Sequence, residues 1–78
     1  MREPQHVWQG RTPDGFSLVV ERDEEGRWVA TVAEVSRSRN ASLTAALEEA
    51  GGSSIPREWA ERVAEALVAV DPNAPANG

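Results

Sequence analysis

A serine–histidine relay or an ordinary zinc site would have to be built around His6, the one histidine of the chain, because both chemistries draw on imidazole nitrogen. His6 opens the first strand-like stretch, where holding a reacting group to within about half an ångström is difficult. The expectation is therefore an exposed strand-end histidine. Acid–base work needs carboxylates in a cleft with displaced pKa values. Asp23, Glu24 and Glu25 sit in a turn, and Glu48 with Glu49 on the outside of a helix, so they read as solvated charge. No alternating string of oxygen ligands ending in a bidentate Glu occurs, which disfavours a calcium loop. Gly51-Gly52-Ser53-Ser54 has the composition of a phosphate cradle, since helix N-termini attract anions. Between two helical stretches it reads as a turn. Asn40-Ala41-Ser42 matches a glycosylation triplet, which without a secretion signal is a chance match.

The arginines are the more promising group. Arg37 and Arg39 flank Ser38 in a polar stretch, and Arg11 and Arg27 lie on strands that could approach them. Such a set could contact phosphate. Single-strand binders usually add exposed aromatic platforms, whereas Trp8, Trp28 and Trp59 all fall at core positions. No cofactor, metal site or catalytic set is expected, and the chain reads as a non-enzyme.

The elements that position these residues follow from turns and periodicity. Thr12-Pro13-Asp14-Gly15 and Asp23-Glu24-Glu25-Gly26 both suit three-residue hairpin loops ending in a left-handed glycine. Strands then span residues 6–12, 16–23 and 27–35. This loop length sets Arg22 opposite Trp28, Val20 opposite Ala30 and Trp8 opposite Val20. One face collects Trp8, Phe16, Leu18, Val20, Trp28, Ala30 and Val32 as core. The other carries Val7, Gln9, Arg11, Ser17, Val19, Glu21, Val29, Thr31 and Ala33. On that second face Val7, Val19, Val29, Thr31 and Ala33 form a candidate partner-binding patch, because an exposed apolar patch often marks association. Residues 36–40 read as a loop, with Arg37 and Arg39 as candidate phosphate contacts.

Leu43, Ala46, Leu47 and Ala50 recur at helical spacing after the capping residue Ser42, with Asn40 as the alternative cap. Gly51-Gly52 ends that helix. Trp59, Val63, Ala66, Leu67 and Val70 define a second helix with Pro56 in its first turn. Glu58 and Arg62 form an i, i+4 pair worth roughly 0.3 kcal/mol. The expected fold is α+β: a three-stranded antiparallel β-meander with two α-helices packed on one face. Residues 6–71 make one domain, and 1–5 and 72–78 are expected to be disordered.

With 78 residues the chain supports one small core. It has no cysteine, which excludes disulfides and thiolate metal sites and fits a reducing compartment. Residues 1–10 hold no apolar segment of signal-peptide type, and no run reaches membrane-span length. A cytoplasmic protein without membrane contact is expected. Thirteen acids against eight bases, all arginine, give a net charge of −5, which disfavours nonspecific binding to nucleic acid. The second half, with two arginines against six acids, is the acidic half.

The run from Phe16-Ser17-Leu18-Val19-Val20-Glu21-Arg22 through Asp23-Glu24-Glu25-Gly26 to Arg27-Trp28-Val29-Ala30-Thr31-Val32 resembles the opening of HicB-like antitoxin domains. Those begin with an aromatic strand, an acidic turn ending in glycine and an aromatic-x-alanine strand. Asn40-Ala41-Ser42-Leu43-Thr44-Ala45-Ala46-Leu47 is similar to their following loop and helix start. The similarity covers residues 16–50. It implies a partial RNase H-like fold without catalytic carboxylates, acting by binding a toxin or other protein. The expected function is thus a small regulatory module with a protein partner or a second copy of itself, the alternative being nucleic-acid contact through Arg37 and Arg39.

Overall fold

Two hairpin turns of the same build organise the first half of the chain in a computed structural model that describes residues 4–70. In the first, Gly15 N–H donates to the Thr12 carbonyl at 2.9 Å, and Phe16 N–H donates to Thr12 Oγ1 at 3.1 Å. In the second, Gly26 N–H donates to the Asp23 carbonyl at 3.0 Å, and Arg27 N–H donates to Asp23 Oδ1 at 2.9 Å. Each has an arginine just before it that donates to the glycine carbonyl: Arg11 to Gly15 at 2.9 Å and Arg22 to Gly26 at 3.0 Å. Gly15 and Gly26 have φ of 91° and 84°, which side chains with a Cβ rarely adopt.

These turns connect β1 (Gln5–Arg11), β2 (Ser17–Arg22) and β3 (Trp28–Val32). The expected register is present, with Arg22 opposite Trp28, Val20 opposite Ala30 and Trp8 opposite Val20. The sheet has four strands rather than three. Residues 36–40, expected as a loop, form β4 (Ser36–Asn40), giving the antiparallel order β1-β2-β3-β4. The strand expected to run to residue 35 stops at Val32. There Val35 N–H donates to the Val32 carbonyl at 3.2 Å across Ala33 and Glu34, whose φ values are 55° and 64°. Two positive φ angles in succession are the arrangement of a type I′ turn, which favours Gly, Asn or Asp.

Ala33 and Glu34 therefore hold a left-handed backbone against a cost of about 1 kcal/mol or more each. The Ala33 N–H bond to the Ser17 carbonyl at 2.8 Å helps to fix them. Glu34 is exposed, so Glu34→Gly removes strain and little else. We expect it to stabilise the fold by about 0.5–1 kcal/mol, allowing for glycine's greater freedom in the unfolded chain. Thermal unfolding by circular dichroism should show a rise of several degrees; an unchanged or lower midpoint would contradict the strain.

The helices are α1 (Leu43–Gly51) and α2 (Arg57–Val70), joined through a 3₁₀ turn at Gly52–Ser54. Ser42, and not Asn40, is the N-cap of α1, and Asn40 supports it from outside the helix. Ser42 Oγ accepts from Ala45 N–H, and Asn40 Oδ1 accepts from Ser42 N–H at 2.9 Å. Pro56 stands just before α2, its carbonyl accepting from Ala60 N–H at 2.9 Å. The helices and one face of the sheet enclose a core of Leu18, Val20, Trp28, Ala30, Val32, Leu43, Ala46, Leu47, Ala50, Ile55, Ala60, Ala64 and Leu67. On α2 the expected Leu67 lies in the core with Trp59 and Val63 packed against it, but the centre of the buried stripe is turned toward two alanines the spacing does not mark. Ala60 and Ala64 are buried, Trp59 and Val63 half-buried, and Ala66 exposed. Buried alanines on both helices let α1 and α2 approach closely.

Three further expectations are corrected. Phe16, assigned to the core, is 48% exposed beside the first turn. Val7 leaves the second face because the register slips between His6 and Trp8: His6 pairs with Glu21, Trp8 with Val20, and Val7 is the unpaired residue of a bulge. It packs instead against the core, as does Ala33, which the turn carries out of the strand. Of the residues expected to be disordered, 1–3 and 72–78 lie outside the described residues, as does residue 71, the expected end of the domain; Gln5, expected to be disordered, opens β1.

Candidate functional site on the open sheet face

The face of the sheet opposite the core is built from alternate residues of all four strands. Its rows are set by register: Gln9, Val19, Thr31 and Arg37 form one, and His6, Glu21, Val29 and Arg39 the next. Asp23 and Arg27 close the end of the face at the second turn.

Because residues 36–40 are a strand, their side chains alternate. Ser36, Ser38 and Asn40 turn toward α1. Ser36 Oγ donates to the Ala50 carbonyl at 2.5 Å, while Ser38 Oγ and Asn40 Nδ2 donate to Glu49 Oε1 at 2.9 and 3.3 Å. Arg37 and Arg39 turn to the open face. Both then reach back across β3 to acids on the β2 side. Arg37 Nη2 lies 3.5 Å from Glu21 Oε1, its Nε 3.4 Å from Thr31 Oγ1, and Arg39 Nε 3.2 Å from Asp23 Oδ2. Neighbouring strands are about 4.8 Å apart, so each arginine spans two strand spacings and its aliphatic stem crosses the sheet. Val29, the apolar residue beneath that crossing, is fully buried although it lies on the face away from the core. Arginine stems commonly cover apolar surface in this way while the charged head stays wet.

The candidate patch is thus narrower and more polar than expected. Of its five residues Val19, Val29 and Thr31 remain on the open face, and Val29 is covered. The structure brings Arg37 and Arg39 onto that same face, so the two candidate groups form one surface. Glu21 and Asp23 belong to it as well. The signal that could have found them is charge: opposite signs at same-face positions of neighbouring strands.

Asp23 is the best-held ionisable group. Its side chain is 10% exposed. The Arg27 backbone N–H holds its carboxyl below the usual aspartate value. Burial opposes this, and the Glu25 N–H and the charges of Arg39 and Arg27 assist. Oδ1 takes both backbone bonds. Oδ2 is buried without a well-formed hydrogen bond and faces the guanidinium groups of Arg39 and Arg27.

A carboxyl whose pKa is lower in the folded chain stabilises the fold above its unfolded value of about 3.8, and loses that contribution as pH falls through the lower folded value. Asp23→Asn should therefore unfold at lower urea than the parent chain at neutral pH, with the gap closing as acidification carries the pH down from 3.8 through the lower folded-state value. An equal gap at neutral and acid pH would show that the charge of Asp23 does not matter.

The remaining candidates stay apart. His6 is exposed on β1, opposite Glu21. Glu48 and Arg57 approach at 3.9 Å between the helices. Glu58, Glu61, Arg62 and Glu65 line an open depression on α2. Gly51 through Ser54 form the interhelical turn, with Gly52 N–H donating to the Glu48 carbonyl to end α1. Among the described residues no three histidine or acidic side chains could jointly hold a metal ion, and no helix is long and apolar enough to cross a membrane. Comparison with protein-family models, with curated proteins and with solved structures finds no match to this chain.

Proposed function

We propose that the chain is a non-enzymatic binding module of regulatory, antitoxin-like kind, working in the cytoplasm and engaging a protein partner through the sheet side of the molecule. One observation carries this reading. The helices cover a single face of a four-stranded sheet, while the other face holds an ordered set of charged side chains over a buried valine. Organised polar side chains on an uncovered sheet favour recognition of a complementary surface. The likeness of residues 16–50 to HicB-like domains points the same way.

The test is retention from nuclease-treated extract by the immobilised chain, compared with Val19→Glu, which adds an acid to the half-buried centre of the open face. A discrete protein held by the parent chain and lost with Val19→Glu is expected. No retained protein, or retention indifferent to the substitution, would contradict the reading.

Nucleic-acid contact is the second reading, favoured by Arg11, Arg37 and Arg39 sharing the open face. Trp28 is in the core, and Trp8 and Trp59 pack against it, so base stacking gains nothing from them. An RNA or DNA shift at low salt that falls steeply as salt rises would support this alternative.

A further inference from the structure

We infer that the free edge of β4 accepts an extended segment of a partner protein as a fifth strand, and that this segment carries carboxylates at alternate positions. The inference rests on the binding-module reading and gives it a surface and a chemistry. β4 ends the sheet order, so one side of its backbone has no strand beside it among the described residues. Natural sheets guard such edges with bulges, prolines or outward-pointing charges. The opposite edge, β1, has a bulge. β4 has neither bulge nor proline: it pairs with β3 in unbroken register over Ser36–Asn40, and its two half-exposed arginines lean back over the sheet toward Glu21 and Asp23.

The side chains on its other face are small and tied to α1 through the Ala50 carbonyl and Glu49. The edge strand is thus pre-ordered, which lowers the entropy lost when a strand docks.

Charge selects the occupant. A second copy pairing antiparallel with β4, helix layers on the same side, would set arginine beside arginine, for example Arg37 of one chain beside Arg39 of the other. Like charges in directly opposed positions destabilise a sheet. The side chains of Arg37 and Arg39 are 56% and 49% exposed, and Glu21 and Asp23 each engage only part of a five-donor guanidinium. An incoming strand with acids two residues apart, about 7 Å, would place one carboxylate beside each arginine.

The experiment uses the full chain and three fluorescein-labelled peptides: threonine-glutamate-valine-glutamate-valine-threonine, the same with lysine for glutamate, and the glutamate peptide N-methylated along one backbone edge. Binding is read by anisotropy, and its location by amide shifts in nitrogen-15 NMR. The glutamate peptide should bind saturably, move the amides of Ser36–Asn40 and bind about tenfold more tightly than the lysine peptide. N-methylation should abolish binding, and Arg37→Gln with Arg39→Gln should remove most of the charge preference. Raising salt on the parent chain gives the same reading if that variant is poorly folded.

Shifts elsewhere, equal binding of both charges, or indifference to N-methylation would overturn the proposal. So would β4 shifts that depend only on chain concentration, which would mark a second copy, or that follow added oligonucleotide instead. A protein retained by the open face that leaves the β4 amides unmoved would sink this inference alone. A peptide that docks on β4 when no protein is retained would sink the earlier reading alone.

Discussion

Trp28→Ala should lose about 3–5 kcal/mol of stability, the cost of truncating a buried aromatic side chain. Trp28 is 1% exposed and is the largest fully buried side chain. Arg22, itself only 8% exposed, lies with its guanidinium 4.4 Å from the Trp28 ring centroid. Removing the ring leaves a cavity and also takes away a desolvated cation–π contact worth about 1–2 kcal/mol. A domain of this length has a total stability of roughly 4–12 kcal/mol, so the variant is left marginal or unfolded at room temperature. Trp28→Phe keeps a ring beneath Arg22 and should lose much less. Urea titration followed by circular dichroism separates the two. A Trp28→Ala loss below about 1 kcal/mol would mean that the indole is not the centre of the core.

Gly51→Ala should destabilise, although alanine is favoured over glycine inside a helix by about 1 kcal/mol. A Cβ at Gly51 would stand 2.3 Å from Ile55 Cγ1, 2.4 Å from Cδ1 and 2.8 Å from Cβ. Ile55 cannot readily move away. It is 2% exposed within the core, and its N–H donates to the Gly52 carbonyl at 3.3 Å across the 3₁₀ turn. Overpacking of this kind typically costs about 1–3 kcal/mol, enough to reverse the propensity gain.

The neighbouring Gly52→Ala is a useful contrast. Gly52 has φ of 56° and nothing within 4 Å of its would-be Cβ, so only backbone strain of about 1 kcal/mol applies there. Adding Ile55→Ala removes the group that Gly51→Ala strikes. The double variant should therefore lose less than the sum of the single losses. Strict additivity would place the damage somewhere other than this contact.

What the sequence makes legible is the part of the fold that glycine and apolar alternation mark. Gly15 and Gly26 fix two loop lengths, those lengths fix the register, and the register separates Leu18, Val20 and Trp28 from Val19 and Glu21. The turn at Ala33 and Glu34 carries no such mark, because its left-handed residues are neither glycine nor asparagine. β4 is hidden for a related reason. Its period of two is a contrast between small and long polar side chains, serine toward α1 and arginine toward the open face, with no apolar residue to mark a buried side.

On α2, Leu67 is buried and Trp59 and Val63 pack against the core as the spacing predicts, but the spacing misplaces the alanines, because alanine suits both a buried and an exposed helical position. Ala60 and Ala64 are buried, whereas Ala66 is exposed. The bulge at Val7 has no local signal either. For the candidate site, the sequence marks Val19, Val29 and Thr31 as a face, and Arg37 with Arg39 as a basic pair. Their belonging to one surface depends on the fourth strand.

That strand is the central claim, since both the covering of Val29 and the proposed docking edge need it. Cross-strand nuclear Overhauser effects in the labelled full chain test it most directly. Contacts pairing Val29 with Arg39 and Thr31 with Arg37 are expected, together with extended-backbone shifts through Ser36–Asn40. Random-coil shifts over those five residues, with no contact to β3, would contradict the account.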